Sequence, residues 1–486
     1  MNYRMIGYVL GRILLIEAGL MVAPLAVSLI YGEHASAIGF LITMGILALL
    51  GLALGLRTPK NKAFYAREGF AIVALSWVLL SFFGALPFVF TRTTSLVDGF
   101  FEIVSGFTTT GSSILQNVEA VDRGLLFWRS LTHWVGGMGV LVFAMAILPL
   151  AEGRGMHILR AEVPGPQVDK LVSRASDTAK ILYTIYLVMT VLELVLLLAG
   201  GMPVYDAFIT AFGTAGTGGF SHLSLSIAAY DNLYFEIVIG VFMLLFGVNF
   251  NLYYLLLLGK AREVFRSEEL ITYAGIVTAS TLAIALNIMR LYGSFGEGLR
   301  RAFFQVASVI TTTGFATADF TLWPEFSQTI LVLLMFCGAC AGSTGGGIKI
   351  ARIIILFKSA ICDIRKMIHP HAVTTVRFAG KPVDERARSG AMMFLTVYTG
   401  IFALSALLLS FENKDLVTNF TAVTTCINNV GPGLSTIGPL GNFDGFSDLG
   451  KLLLSLDMLI GRLEIFPMLI LFVPTVWKKK IHTKTL

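Results

Sequence analysis

The chain has 486 residues, of which 56% are hydrophobic and 14% charged, against roughly 25% charged in soluble domains. That balance excludes an ordinary soluble domain and points to a chain that lives in a bilayer. The net charge of +6 reads as Lys and Arg kept in loops on one side of a membrane rather than as a nucleic-acid footprint.

Ten apolar segments reach the roughly 20 residues that cross a bilayer core. Two come first, near 5–30 and 37–56; the first lacks a small-residue cleavage site and reads as a retained helix. The others follow near 69–90, 127–149, 178–199, 234–258, 270–291, 328–358, 389–410 and 451–476. Basic residues gather in alternate loops: Arg57, Lys60, Lys62 and Arg67, then the stretches near 151–180, 259–268 and 349–388, then Lys478, Lys479 and Lys480. The positive-inside rule therefore predicts cytoplasmic termini. Cys337, Cys340, Cys362 and Cys426 are too few for a disulfide framework. The spacing of the first two would suit a redox or zinc site in a soluble protein, but in an apolar stretch it reads as small core residues. His369 and His371 lie in a basic stretch that reads as a solvated loop.

The connections 91–126, 200–233, 292–327 and 411–450 share one pattern. In each, a phenylalanine (Phe100, Phe208, Phe303, Phe420) precedes a glycine (Gly111, Gly219, Gly314, Gly431) by the same interval. Each phenylalanine is expected as a buried wedge on a half-helix of about three turns. The loops that end there read Thr108-Thr109-Thr110-Gly111, Gly216-Thr217-Gly218-Gly219, Thr311-Thr312-Thr313-Gly314 and Asn428-Asn429-Val430-Gly431. Glycine permits backbone that turns carbonyls inward, and rings of carbonyls replace the hydration shell of a desolvated cation. The C-terminal end of each half-helix would carry partial negative charge toward the axis, which also favours a cation. An even number of spans per unit gives all four copies one orientation. The expected fold is thus an all-α membrane protein of ten transmembrane helices, with four pseudo-symmetric helix–pore-loop–helix units around one ion pore. Two added helices would occupy 1–60, and the units 61–155, 156–262, 263–365 and 366–486.

Residues 338–347, inside the eighth apolar segment, include Gly338, Gly342, Ser343, Thr344, Gly345, Gly346 and Gly347. Such a run cannot hold a good helix, each glycine costing about 1 kcal/mol against Ala. Non-helical backbone at membrane depth survives only when buried in protein or lining a water-filled cavity. The loop is expected beneath the filter, as an obstruction to ions or as a packing notch between helices. It lacks the order of a phosphate-binding loop. Arg462, midway along the last span, is expected as an electrostatic barrier or gate, or as a structural partner of Glu464 or Asp457. Lys349 stands just past the loop and is expected to hold it or to contact cytoplasmic elements.

The four glycine patterns, the run Ile427-Asn428-Asn429-Val430-Gly431-Pro432-Gly433, the glycine-rich break and Arg462 together resemble the TrkH/KtrB/HKT superfamily of potassium and sodium transport proteins. The similarity covers nearly the whole chain, and the two leading helices make it more similar to TrkH than to KtrB. In plant members a serine at the first filter position accompanies sodium transport; Gly111 stands here, so the resemblance implies potassium. Gly216 and Gly218 depart mildly and suggest a more flexible second quarter. The resemblance further implies K+ bound at the filter residues only, no organic cofactor, an inner-membrane location, and a homodimer with one pore per protomer. It implies as partner a cytoplasmic nucleotide-binding ring of the TrkA type. No catalytic constellation stands out, so an enzyme is not expected. A sodium-selective or proton-coupled symporter of the same fold, and a membrane sensor without flux, remain alternatives.

Overall fold

The computed structural model describes residues 1–56, 58–59, 66–139, 175–370 and 374–477. Apart from one short antiparallel pairing, Arg377–Phe378 with Lys381–Pro382, the regular structure among these residues is helical. That suits the medium: in lipid every backbone polar group needs an internal partner, and a helix supplies it within its own segment. Among the described residues, six helical stretches are long and apolar enough to cross a membrane: Tyr3–Ile30, His34–Gly55, Glu68–Phe90, Ala179–Ala199, Glu268–Ile288 and Glu385–Glu412. Their outward faces carry exposed Leu49, Leu192, Leu286 and Leu404, as lipid contact requires.

The leading helices Tyr3–Leu20 and His34–Gly55 approach closely. A Cβ on Gly11 would stand 2.7 Å from the amide nitrogen of Gly55 and 2.9 Å from the carbonyl oxygen of Gly51. Small residues let two backbones meet without lipid between them.

Four short helices, Leu96–Phe107, Val204–Gly216, Phe295–Ile310 and Leu416–Asn428, end at the four glycine loops. Ser95, Ser294 and Asp415 cap the first, third and fourth by accepting the amides of Asp98, Glu297 and Thr418. The repeated phenylalanines are not buried wedges. Phe100, Phe208 and Phe303 are half-buried, and Phe420 is 38% exposed, its edge against Phe402 at 5.2 Å between ring centres. The fully enclosed rings in units one and three belong to the next residues, Phe101 and Phe304. One step along a helix turns the side chain by about 100°, so the repeat marks the face turned to neighbouring spans.

Each half-helix and its loop lead into a return helix, and here the expected unbroken spans need correction. The second return helix, Leu233–Phe246, is followed by Phe250–Leu257 at an angle of 91°. The third needs no such correction: Glu325–Cys337 and Ile350–Ile368 flank a non-helical stretch where the glycine run excludes a helix. In the fourth, Asp448–Arg462 stops at Glu464 and Ile465, with φ of 54° and 71°, before Phe466–Leu471 resumes. The first return helix is Arg123–Gly137, and most of the remainder of its expected span lies outside the described residues. So do His371, Arg57, Lys60, Lys62, the basic residues of 151–174, and the lysines of the tail.

Candidate functional site

All four half-helices end in the same cap. The amides of Thr109, Thr217, Thr312 and Asn429 donate three residues back, to Gly106, Thr214, Val309 and Cys426, at 3.0–3.3 Å. Those of Thr110, Gly218, Thr313 and Val430 donate five residues back, to Ser105, Gly213, Ser308 and Thr425, at 2.8–2.9 Å. This paired pattern closes a helix on a left-handed residue, and Thr109, Thr217, Thr312 and Asn429 have φ of 56°, 55°, 59° and 55°. Three of the four are β-branched, a residue type that pays roughly 1–3 kcal/mol for such backbone and holds it only where its surroundings enforce it. All four are fully buried.

The next positive φ falls on the glycines themselves: 84° at Gly111, 75° at Gly219, 86° at Gly314 and 99° at Gly431. A Cβ on Gly111 would lie 2.1 Å from the carbonyl oxygen of Gly218. One on Gly219 would lie 2.0 Å from that of Thr313, one on Gly314 2.3 Å from that of Val430, and one on Gly431 2.7 Å from that of Thr110. Each glycine thus abuts the carbonyl before the next glycine, and the series closes on itself in chain order. The loops form a ring in which neither the backbone angle nor the space admits a side chain. A cavity of about 120 Å³ opens beyond it, lined by the four glycines, Ser112, Gln116, Pro432 and Asn442 among others.

Side chains brace the ring from behind. The hydroxyls of Thr108 and Thr110 lie 2.8 Å apart, as do those of Thr311 and Thr313. Asn428 donates to the Thr424 carbonyl at 2.8 Å and accepts from the Tyr398 hydroxyl at 3.0 Å. Asn429 donates to Thr110 Oγ1 and to the Met458 carbonyl, both at 3.0 Å. Thr217 Oγ1 donates to its neighbour's carbonyl, Gly216, at 2.6 Å.

The glycine-rich stretch lies against the deep end of the ring. The Gly346 amide donates to Thr312 Oγ1 at 2.6 Å. Cβ atoms on Gly345 and Gly346 would stand 2.8 Å from the Thr311 carbonyl oxygen and 2.2 Å from that of Asn428. Gly338, Gly342 and Gly347 take positive φ. The stretch is stitched to the break in the second return helix, Cys340 donating to the Gly247 carbonyl and Phe250 to that of Gly342, each at 3.0 Å. Ser343 Oγ donates to the Cys340 carbonyl at 2.6 Å. Buried Lys349 reaches back to the Gly345 carbonyl. Arg462 donates to the carbonyls of Thr344 at 2.7 Å, Gly136 at 2.6 Å and Gly137 at 3.0 Å. It therefore joins the loop to the ends of the first and fourth return helices. Glu464 takes Arg352 instead, and Asp457 takes Ser405 at 2.7 Å.

Sequence reasoning passed over three buried residues beside the ring. Arg129 donates to Glu102 Oε1 and, at 2.9 Å, to the Ser221 carbonyl. Glu102 also accepts from Ser113 Oγ at 3.0 Å and from the Ile114 amide at 2.9 Å. His133 lies between the first and second loops. Ionisable side chains inside an apolar helix were the available signal.

A bundle of apolar spans around a ring of main-chain carbonyls defines a membrane protein for moving cations. The pattern of the cation transport protein family TrkH matches residues 37–277 and 293–480. The "Trk system potassium uptake protein TrkH" of Salmonella typhimurium (strain LT2) is 36% identical, with 99% of this chain and 100% of the relative aligned. "Trk system potassium uptake protein TrkG" of Escherichia coli (strain K12) is 34% identical, over 98% of this chain and 99% of the relative. The crystal structure of the potassium transporter TrkH from Vibrio parahaemolyticus matches with a TM-score of 0.88 at 32% identity, covering 98% of this chain and 100% of that one. This chain belongs to the TrkH family, whose members are transporters and not enzymes.

Proposed function

We propose that this chain takes up potassium across the inner membrane, selecting it at Gly111, Gly219, Gly314, Gly431 and the residues just before them. The observation that carries this reading is the closed cycle in which each glycine abuts the next quarter's carbonyl. Dehydrated K+ would exchange water for those oxygens, at the negative ends of four half-helices. Influx would draw on the membrane potential, worth about 2.3 kcal/mol per charge per 100 mV. The four units, 61–155, 156–262, 263–365 and 366–486, would surround one axis, with 1–60 outside it and both termini cytoplasmic. Residues 338–347 and Arg462 would close the path at the deep end of the ring, Lys349 holding the loop. The names of the relatives support potassium as the cargo. A homodimer and a TrkA-type nucleotide-binding ring on the cytoplasmic face complete the proposal.

The test is rubidium uptake into vesicles holding the purified chain, at a set voltage, against sodium and at several pH values. Uptake that follows voltage and prefers rubidium is expected. Equal sodium flux would give the sodium reading, a proton gradient that drives uptake the coupled reading, and no flux at all would overturn transport.

A further inference from the structure

The four quarters of the ring are not braced alike. The first and third carry threonines on both sides of the left-handed residue, and each pair lies hydroxyl to hydroxyl at 2.8 Å. The fourth has Asn428 and Val430 there. In the second both positions are glycine, Gly216 and Gly218, so that strand has no flanking side chains of its own.

The missing volume is filled from the first return helix. A Cβ on Gly218 would fall 2.3 Å from Cγ and 2.4 Å from Nδ1 of His133, and one on Gly216 2.2 Å from the His133 carbonyl oxygen. The imidazole is fully buried. Its Nδ1 lies 2.8 Å from the carbonyl of Gly106, in the last turn of the first half-helix, and its Nε2 lies 3.2 Å from the amide of Phe220, directly after Gly219. A carbonyl only accepts and an amide only donates, so Nδ1 carries the hydrogen, Nε2 offers its lone pair and the ring is neutral. The Phe220 ring stacks on the imidazole at 4.2 Å, and the Arg129 guanidinium stands 3.6 Å from the centre of the Phe220 ring.

We propose that His133 is a positioning residue for cation selectivity, its neutral imidazole standing in for the side chains absent from Gly216 and Gly218 and tying the second quarter of the ring to the first. This inference rests on the filter reading above. A strand without side-chain braces would open under thermal motion and lose its discrimination between ions of different size. The imidazole keeps its carbonyls at the spacing of the other three quarters.

The test uses the full chain in vesicles and reads the preference for rubidium over sodium. His133→Leu should lower that preference by about tenfold, equivalent to about 1.4 kcal/mol. His133→Gln should keep most of it, since a carboxamide donates to Gly106 and accepts from Phe220 just as the ring does. Gly218→Thr alone should lose the preference through collision with the imidazole, whereas Gly218→Thr with His133→Ala should recover part of it, since the threonine refills the vacated space with one of the two side chains that brace the first and third quarters. Hydrogen exchange over 217–221 should quicken in the Leu variant and not in the Gln variant, a readout that needs no flux. A Leu variant within twofold of the wild type, equal impairment by Leu and Gln, or a double variant no better than its singles would overturn the brace. Wild-type vesicles that take up no rubidium would sink the uptake reading alone, and the exchange comparison would then decide the brace.

Discussion

The ring and the loop beneath it are built on opposite rules. In the ring one local geometry occurs four times, with matching caps, left-handed residues and glycines, and each quarter leans on the next. The loop occurs once, in the third unit, and its ten residues are held mostly by main-chain bonds to the second return helix and to Arg462. The proposed selection of a spherical ion by size calls for like distances on all sides, which repetition supplies. The proposed closure has to leave the path, and one copy held by a few separable contacts leaves more readily than four interlocked ones. The strain differs accordingly. Three threonines and an asparagine are forced into left-handed backbone at the ring, whereas the loop meets most of its unusual angles with glycine, where they cost little.

The sharpest way to break this contrast is to put a side chain in the ring. Gly314→Ser would place a Cβ 2.3 Å from the Val430 carbonyl oxygen and 2.9 Å from Pro432 Cδ, at a φ of 86°. Rubidium uptake should fall by about 100-fold, near 2.8 kcal/mol. Retained rubidium-over-sodium preference would end the filter assignment. Arg462→Ala should act in the opposite sense. It removes three charge-assisted hydrogen bonds, each worth roughly 1.5–3 kcal/mol, and with them the tie between the loop and the first and fourth return helices. Voltage-driven flux should rise by about tenfold, and unchanged flux would remove Arg462 from the gate.

How much of this could be read from the chain follows the same division. The four glycines and the loop were legible because glycine announces an unusual backbone by its identity alone, and here it recurred at a fixed interval or in a dense run. The breaks in the second and fourth return helices were not. The stretch Arg462-Leu463-Glu464-Ile465-Phe466 has no breaker of its own; Glu464 is drawn to Arg352 on another helix, and Pro467 restarts the turn. His133 was illegible for a related reason. Its partners, Gly106 and Phe220, stand 27 and 87 residues away, and only the closed ring brings them together. The repeated phenylalanines were visible, but their direction was not, because a repeat fixes position along a helix and not which neighbour the side chain meets.

A smaller change tests the seam between the two regions. Thr312 belongs to the ring, yet its hydroxyl accepts the Gly346 amide of the loop at 2.6 Å. Thr312→Val keeps the β-branched shape, and so the strain of the left-handed position, while deleting that acceptor. A buried amide left without its partner costs roughly 1–3 kcal/mol. Loop docking should weaken by about fivefold or more, seen as faster hydrogen exchange across 342–347, with rubidium-over-sodium preference little altered. If preference falls as steeply as flux changes, ring and loop are one unit and the contrast drawn above is wrong.

The smallest expected effect separates the quarters by acid. The third half-helix is capped by the hydroxyl of Ser294, which does not titrate in the acid range, whereas the fourth is capped by the carboxylate of Asp415. Asp415 accepts the Thr418 hydroxyl at 2.5 Å, the Thr418 amide at 2.9 Å and the Ser435 hydroxyl at 3.3 Å. These bonds, the Thr418 side chain foremost, hold its carboxyl below the ordinary 3.8. A carboxylate whose folded value is depressed contributes stability that is present above the unfolded value and is lost as pH falls through the folded one. The Asp415 cap of the fourth half-helix should therefore fray below about pH 3.8, by up to the roughly 1 kcal/mol that an N-cap supplies, while the Ser294 cap of the third holds and leaves that half-helix only the titration of Glu297 against Arg300 and Arg301. Hydrogen exchange over 416–428 and 295–310, corrected for intrinsic rates and compared at pH 3 and pH 7, measures it. Asp415→Ser should abolish the acid response of the fourth half-helix; an acid response that survives this substitution would place its cause elsewhere in the unit.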